Sequence, residues 1–179
     1  MSYFNIAKIN NKAVDGLLGV SDSLAYKVQE IEDHLHNSEL WYGNDGDSTM
    51  SRVNNLTSWV LTAGTGGAYG TAVQLSAAND TLTDSPAAVF FDLHKLVITQ
   101  ASATGANYVI QFWTGTGIFS GAAFRTEVPY RVVSNTARVG PMSILCPRIS
   151  VTEKIWARVK CATNGATANL IIGVHAYEG

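Results

Sequence analysis

The sequence predicts a mainly β protein: an antiparallel jelly-roll β-sandwich of about eight strands, preceded by an extended N-terminal arm and one α-helix. Segments rich in β-branched and aromatic residues recur after residue 58, separated by Gly, Asn, Asp and Pro. The gaps between them are too short for crossover helices, which favours antiparallel pairing. Upstream, the apolar residues follow a helical period instead. An up-and-down barrel is the alternative arrangement of the strands.

The first element is an arm over residues 1–20, in which large apolar residues alternate with Asn and Lys. Arms of this composition fray unless they are pinned. We therefore expect the arm to pack against a partner subunit or against the chain's own domain. The apolar residues available for this contact are Tyr3, Phe4, Ile6 and Ile9.

A helix is predicted from Ser23 to about Tyr42, with Gly43 placed to end it. Its apolar residues are spaced 4, 3 and 4 apart, the seam of a coiled coil, and they are Leu24, Val28, Ile31 and Leu35. A helix with so narrow a stripe is marginal alone and needs a partner. An amphipathic helix packed on its own domain is the alternative. The composition changes after this helix, which predicts an arm-and-helix region at 1–43 and a β-sandwich domain at 44–179.

Eight segments of the second region are predicted to be strands, at 59–62, 71–76, 88–99, 108–114, 124–133, 142–149, 154–162 and 169–177. Side chains alternate between the two faces of a strand. In 88–99, the predicted core face carries Val89, Phe91, Leu93 and Val97, opposite Asp92 and His94. In 154–162, it carries Ile155, Ala157, Val159 and Cys161, opposite Trp156, Arg158 and Lys160.

The composition restricts the function classes. The net charge is -2 and only 15% of the residues are charged, against about 25% in typical domains. No basic field is present to recruit nucleic acid or an acidic membrane surface. No apolar run approaches the roughly 20 residues of a membrane span, and the N-terminus lacks a secretory pattern. A weakly charged surface suits a protein that is largely covered in an assembly, and also an extracellular β domain.

The sequence predicts no enzyme, cofactor or metal site. It contains no GxSxG elbow, HExxH helix or Cys-His-Asn set, and Asp92 and Glu127 are isolated carboxylates. Cys146 and Cys161 lack zinc-ligand spacing and are expected to be reduced, buried thiols. His94 and His175 lie on separate predicted strands that can meet in space.

Two glycine-rich stretches, 63–70 and 114–121, are expected to be loops rather than phosphate cradles, because neither ends in the Lys-Ser/Thr of a P-loop. Three aromatic residues on predicted strands, Trp113, Trp156 and Tyr177, offer rings for a sugar platform. Core or interface packing is the more frequent role of such residues.

Several of these strand segments resemble those of tailed-bacteriophage virion structural proteins. The resemblance rests on residues 47–75, 90–102, 108–119 and 154–179, and above all on the strand IWARV and the terminal strand GVHAYEG. It implies a trimerised jelly-roll head attached to a virus particle, of the type found in capsid decoration (cement) proteins. No catalytic residues come with it.

The expected function is therefore that of a capsid decoration protein, made in the host cytoplasm and located on the virion surface. It would act as a homotrimer on the major capsid protein, with other virion proteins as further partners and no nucleic acid or membrane. The seam Leu24, Val28, Ile31 and Leu35 would join subunits, and the arm residues Tyr3, Phe4, Ile6 and Ile9 would dock on the capsid. The alternative is a tail or head-fibre module that recognises a host surface glycan or protein through loops 63–70 and 114–121.

Overall fold

A computed structural model describes residues 40–44, 50–52, 58–76, 88–133 and 139–178. The chain divides into two units, Met1–Ser38 and Glu39–Gly179. The first unit lies outside the described residues, and with it the predicted arm and the helix as far as residue 38. The described part is mainly β and contains no α-helix, and therefore no helix long and apolar enough to cross a membrane.

The described strands are β1 (Leu40–Asn44), β2 (Met50–Arg52), β3 (Trp59–Thr62), β4 (Val73–Ser76), β5 (Ala88–Ala101), β6 (Asn107–Gly115), β7 (Ala123–Arg131), β8 (Val139–Ser143), β9 (Ile149–Ser150), β10 (Lys154–Cys161) and β11 (Thr167–Glu178). A single 3₁₀ turn, η1 (Phe119–Gly121), lies between β6 and β7. All of the strand pairings described are antiparallel, as the sequence predicted.

Seven of these strands form one sheet, with the order β2-β1-β11-β5-β8. β3 also pairs with β11, and β9 also pairs with β5. β1 pairs with residues 172–174 of β11, and β3 pairs with residues 167–170 of β11. Both strands therefore lie along the same edge of β11, one after the other. β8 and β9 share one edge of β5 in the same way.

The other four strands form a second sheet, with the order β4-β10-β6-β7. The hairpin β6–β7 is the one connection there that joins neighbouring strands. Along the chain, the path crosses from one sheet to the other between β3 and β4, β4 and β5, β5 and β6, β7 and β8, β9 and β10, and β10 and β11. Both contribute to a single hydrophobic core, whose largest fully buried side chains are Trp59, Tyr42, Tyr108, Phe91 and Phe112. Burying each large apolar side chain contributes about 1.5–3 kcal/mol.

Alternation along the strands determines which side chains enter this core. On β10, Ile155, Ala157, Val159 and Cys161 belong to the core, as predicted. On β5 the prediction is correct for Phe91 and Leu93 but wrong for Val89, which is exposed. Val97 is buried, as predicted, but lies outside the main core cluster. The pairing of β5 with β11 shifts register between Gly173 and Val174. Such an irregularity exchanges the two faces, and Leu96 and Ile98 therefore take the core positions beyond it.

The predicted helix is also wrong at its C-terminal end. Residues 40–44 form strand β1, in which Tyr42 pairs with Ile172 and is fully buried. Gly43 belongs to the same strand and ends no helix. Pairing with β11 and the burial of Tyr42 outweigh the local helical pattern here, because tertiary packing commonly overrides intrinsic propensity. The predicted strand 142–149 is likewise two strands, β8 and β9, separated by residues 144–148.

Candidate functional site

The outward face of the four-stranded sheet carries a row of three aromatic residues. Trp113 on β6 lies directly opposite Trp156 on β10 and, on its other side, opposite Phe124 on β7. The β6–β7 register shifts between Phe112 and Trp113, and the β10–β4 register shifts at Trp156. Irregularities of this kind re-aim side chains. Trp113 and Phe124 are in edge-to-face contact, with ring centroids 5.5 Å apart.

A polar row runs beside the aromatic row, two residues further along the strands. Arg158 pairs with Gln111, and Gln111 pairs with Glu127. The Arg158 Nε–H donates to Gln111 Oε1 at 3.0 Å, and Gln111 Nε2 donates to Glu127 Oε2 at 3.1 Å. The indole N–H of Trp113 donates to the same Gln111 oxygen at 3.3 Å. Gln111 therefore fixes the Arg158 guanidinium relative to both rows.

The two glycine-rich loops each place an aromatic ring against this guanidinium. From loop 63–70, the Tyr69 ring lies 4.6 Å from the Arg158 Cζ; from loop 114–121, the Phe119 ring lies 5.5 Å from it. Trp113 contributes a third ring at 4.8 Å. These distances fall within the range of cation–π attraction. Phe119 also contacts Trp113 and Trp156 edge-on, at 5.5 and 6.3 Å.

We call this cluster the arginine–aromatic face; its residues are Tyr69, Gln111, Trp113, Phe119, Phe124, Glu127, Trp156, Arg158 and Lys160. A second cation borders it, because the Lys160 Nζ lies 4.9 Å from the Tyr69 ring. Within the described residues, neither Arg158 nor Lys160 forms a salt bridge with a carboxylate. The Tyr69 hydroxyl donates to Glu127 at 3.4 Å. Burial, followed by the charge of Glu127, raises the pKa of Tyr69, which stays a neutral phenol.

The arginine–aromatic face has a buried side and an accessible side. Trp156 is almost fully buried, Trp113 and Phe119 are partly buried, and the Phe124 side chain is 48% exposed. Glu127 is exposed. The accessible part thus combines aromatic rings, a fixed guanidinium and the exposed Glu127 carboxylate. Such a surface can stack against a flat apolar face while it donates and accepts hydrogen bonds at the periphery.

A second polar cluster lies on the seven-stranded sheet. The rings of His94 and His175 stack with centroids 3.9 Å apart, so these two histidines do meet. The Tyr177 hydroxyl donates to Asp92 Oδ2 at 2.7 Å, and the Arg148 guanidinium lies over the Tyr177 ring at 4.1 Å. Burial and the adjacent Asp92 raise the pKa of Tyr177. Among the described residues, no group of three or more His, Cys, Asp or Glu side chains is arranged to hold a metal ion.

The structure brings together some of the residues that the sequence singled out. Trp113 and Trp156 share the arginine–aromatic face, whereas Tyr177 lies on the other sheet. Asp92 and Glu127 are on different sheets and do not form a carboxylate pair. The predicted interface and docking residues lie outside the described residues; they are Leu24, Val28, Ile31, Leu35, Tyr3, Phe4, Ile6 and Ile9.

Sequence reasoning missed the central role of Arg158. Its position was predicted correctly, on the face of β10 that also carries Trp156 and Lys160. What the sequence does not reveal is that Tyr69 and Phe119, 89 and 39 residues earlier, reach the same guanidinium.

Comparisons of the chain with protein-family models, curated proteins and solved structures gave no match.

Proposed function

We propose that this chain is a virion structural protein with a jelly-roll head. The strand order supports the jelly-roll part of the proposal. Counting β3, β4, β5, β6, β7, β8–β9, β10 and β11 as strands one to eight, the sheets have the orders 1-8-3-6 and 2-7-4-5. This order supports an eight-stranded jelly roll, an architecture used by viral capsid and lectin domains. β1 and β2 are then additions at the edge next to β11.

A jelly roll alone assigns no function, since one fold hosts many activities. The resemblance of the strand segments to phage virion proteins supplies the particular role of capsid decoration. The two segments most typical of that resemblance coincide with β10 and β11. On this proposal the protein binds the major capsid protein as a homotrimer on the surface of the assembled head.

Exposed apolar side chains support the proposal that part of the β-domain surface is covered by other proteins in an assembly. Ile118, Val133 and Leu145 are 75%, 79% and 91% exposed. Single exposed apolar residues are common, but covering such side chains in an assembly would add about 25 cal/mol for each Å² of apolar surface removed from water. The mechanism is mass action: a protein that binds only the assembled shell stabilises that shell against rupture.

The test is to heat particles of the encoding phage made with and without this protein, and to follow DNA release with an intercalating dye. We expect release at a lower temperature from particles that lack the protein, and restoration when purified protein is added back. Equal rupture temperatures would reject the decoration role.

The subunit contact is tested separately. A double variant, Ile31→Asp with Leu35→Asp, should convert trimers to monomers in light scattering coupled to size exclusion, because it places charges in the predicted seam. The matched control changes Glu30 and Asp33, which lie off the seam, to Gln and Asn and should remain trimeric. A double seam variant that stays trimeric would assign the subunit contact to the β domain.

A second candidate function is supported by the arginine–aromatic face. A tail or head-fibre module that recognises a host surface glycan needs exposed rings and fixed polar groups, and the loops predicted for this role bring Tyr69 and Phe119 to that face. Labelled protein should then adsorb to host cells. Absence of adsorption, together with label on capsid faces, would leave the decoration role alone.

A further inference from the structure

Two cations lie close to the Tyr69 ring, and within the described residues neither forms a salt bridge with a carboxylate. Arg158 Cζ and Lys160 Nζ lie 4.6 and 4.9 Å from the centre of that ring. Both side chains extend from the outward face of β10. In addition, the backbones of Lys160 and Tyr69 form an isolated antiparallel β-bridge. The only hydrogen bond described for Arg158 is the one from Nε to Gln111. No described residue accepts a hydrogen bond from its terminal nitrogens, which can therefore donate to an external acceptor.

We propose that the arginine–aromatic face binds an acidic carbohydrate, one whose pyranose ring carries a carboxylate. Guanidinium groups pair with carboxylates in a planar, two-point geometry. The neighbouring rings supply a surface for the C–H side of a sugar. Glu127, exposed at the other end of the polar row, accepts hydrogen bonds from sugar hydroxyls.

The spacing on β10 fits this class of ligand. Residues two apart on a strand are separated by about 6.6 Å on the same face, which is comparable to the width of one sugar ring. A carboxylate bound by Arg158 or Lys160 would thus place its sugar ring beside the aromatic rings of this face. Trp113 and Phe124 continue the aromatic surface along the neighbouring strands, which leaves room for a second sugar.

The charge of the surface favours a sugar over single-stranded nucleic acid, which also stacks on aromatic residues. A nucleic acid carries a phosphate at every residue, and its binding needs a long basic groove. The arginine–aromatic face has two cations and one carboxylate, in a chain whose net charge is -2. One or two carboxylates match this balance better than a run of phosphates.

The proposal depends on the receptor-binding candidate for its biological role, but its test is independent of particles and cells. Purified full-length protein is titrated by calorimetry and tryptophan fluorescence with 3′-sialyllactose and with trigalacturonic acid. Lactose and maltotriose serve as neutral probes, and a decamer of deoxythymidine tests nucleic acid. We expect binding of at least one acidic sugar, at least fivefold tighter than its neutral counterpart, and weakening with added salt.

Two charge variants and one ring variant locate the site. Lys160→Gln removes one of the cations at Tyr69 and should weaken binding of the acidic sugar about fivefold. Arg131→Gln makes the same change in charge at an exposed position of β7 that pairs with Asn107, outside the arginine–aromatic face, and should change affinity less than twofold. Matching thermal unfolding curves would show that both variants are folded. Tyr69→Leu, which removes the ring but keeps an apolar side chain, should also weaken binding.

Specific outcomes would overturn the proposal. No binding of either acidic sugar would reject it, as would equal affinity for the acidic sugar and its neutral counterpart in both pairs. Equal weakening by the Lys160 and Arg131 substitutions would place any binding elsewhere. Tighter binding of the deoxythymidine decamer would replace the sugar with nucleic acid. If the sugar binds but host cells do not adsorb the protein, the proposed site survives while the receptor-binding function fails.

Discussion

Tyr108 and Tyr130 stack in the core but differ in the hydrogen bonding of their hydroxyl groups, and a pair of substitutions can isolate this difference. The rings of Tyr108 and Tyr130 are nearly parallel, with centroids 5.1 Å apart. The Tyr108 hydroxyl accepts from the Ala103 N–H at 2.9 Å and contacts the Ala103 carbonyl at 3.3 Å. The Tyr130 hydroxyl is buried and has no hydrogen-bond partner in the described part of the chain.

Tyr108→Phe and Tyr130→Phe should therefore have opposite consequences. The first leaves the Ala103 peptide groups without their partner, which costs about 1–3 kcal/mol. For a chain of this size, Tm changes by about 2–4 °C per kcal/mol, so the expected fall is about 2–12 °C. The second removes a buried hydroxyl that makes no hydrogen bond within the described residues. The free energy of unfolding of the Tyr130→Phe variant should therefore stay unchanged or rise by about 1 kcal/mol.

Alkaline pH provides a further check on Tyr130. Burial is the main cause of its raised pKa, so the folded protein holds the phenol proton more tightly than the unfolded chain does. The resulting stabilisation is complete below about pH 10, the ordinary tyrosine pKa, and is lost as the pH rises towards the folded-state pKa. Tyr130→Phe should lose less stability above pH 10 than the wild type.

Urea unfolding followed by tryptophan fluorescence, at pH 7 and in steps above pH 9, measures the free energies of unfolding, and thermal unfolding at pH 7 measures the change in Tm. Equal m-values would confirm that the substitutions change stability rather than the unfolded state. A Tyr130→Phe variant that is destabilised as much as Tyr108→Phe would refute the reasoning, since it would mean that the Tyr130 hydroxyl makes a contact important to the fold.

Three further predictions follow from local geometry. Gly70→Ala should destabilise the protein by about 1–3 kcal/mol or more in urea unfolding, because the new Cβ would overlap the Thr62 carbonyl oxygen; Gly117→Ala, in open space, is the control and should cost less than about 1 kcal/mol. Burial raises the pKa of Cys146 to about 11, so its alkylation should be slow at pH 8 and accelerate up to about pH 11; an acceleration complete by pH 8.5 would contradict this. Arg125→Met should cost about 1–3 kcal/mol, because it removes both the bond to Thr114 and the ion pair to Glu153; an unchanged urea midpoint would show that the pair contributes nothing.

The sequence predicted most of the β domain because local alternation and core burial agree there. Strand β10 is the clearest case, since Ile155 to Cys161 alternate without interruption and pair with β6 in unbroken register. The prediction failed where a distant partner decides the outcome. Residues 40–44 become a strand because β11, more than 120 residues later, offers them a pairing edge, and Val97 changes face because β11 shifts the register of β5.

The candidate site was predictable in parts but not as a whole. Strand alternation placed Trp156, Arg158 and Lys160 on one face, and the position of Trp113 on a strand was also correct. Their meeting with Tyr69 and Phe119 depends on how two glycine-rich loops fold back over the sheet. Glycine permits many loop conformations, and sequence periodicity contains no information on which is chosen.

The position of β11 has a consequence for how the molecule is made. It pairs with β1, β3 and β5, and in the described sheet these three strands do not pair with one another. During synthesis, the seven-stranded sheet therefore remains a hairpin, a single strand and the group around β5 until Thr167–Glu178 leaves the ribosome. Such long-range pairing is slow and exposes unpaired edges meanwhile. We expect nascent chains stopped before residue 167 to be captured by chaperones, and the complete β domain to fold only after β11 is released.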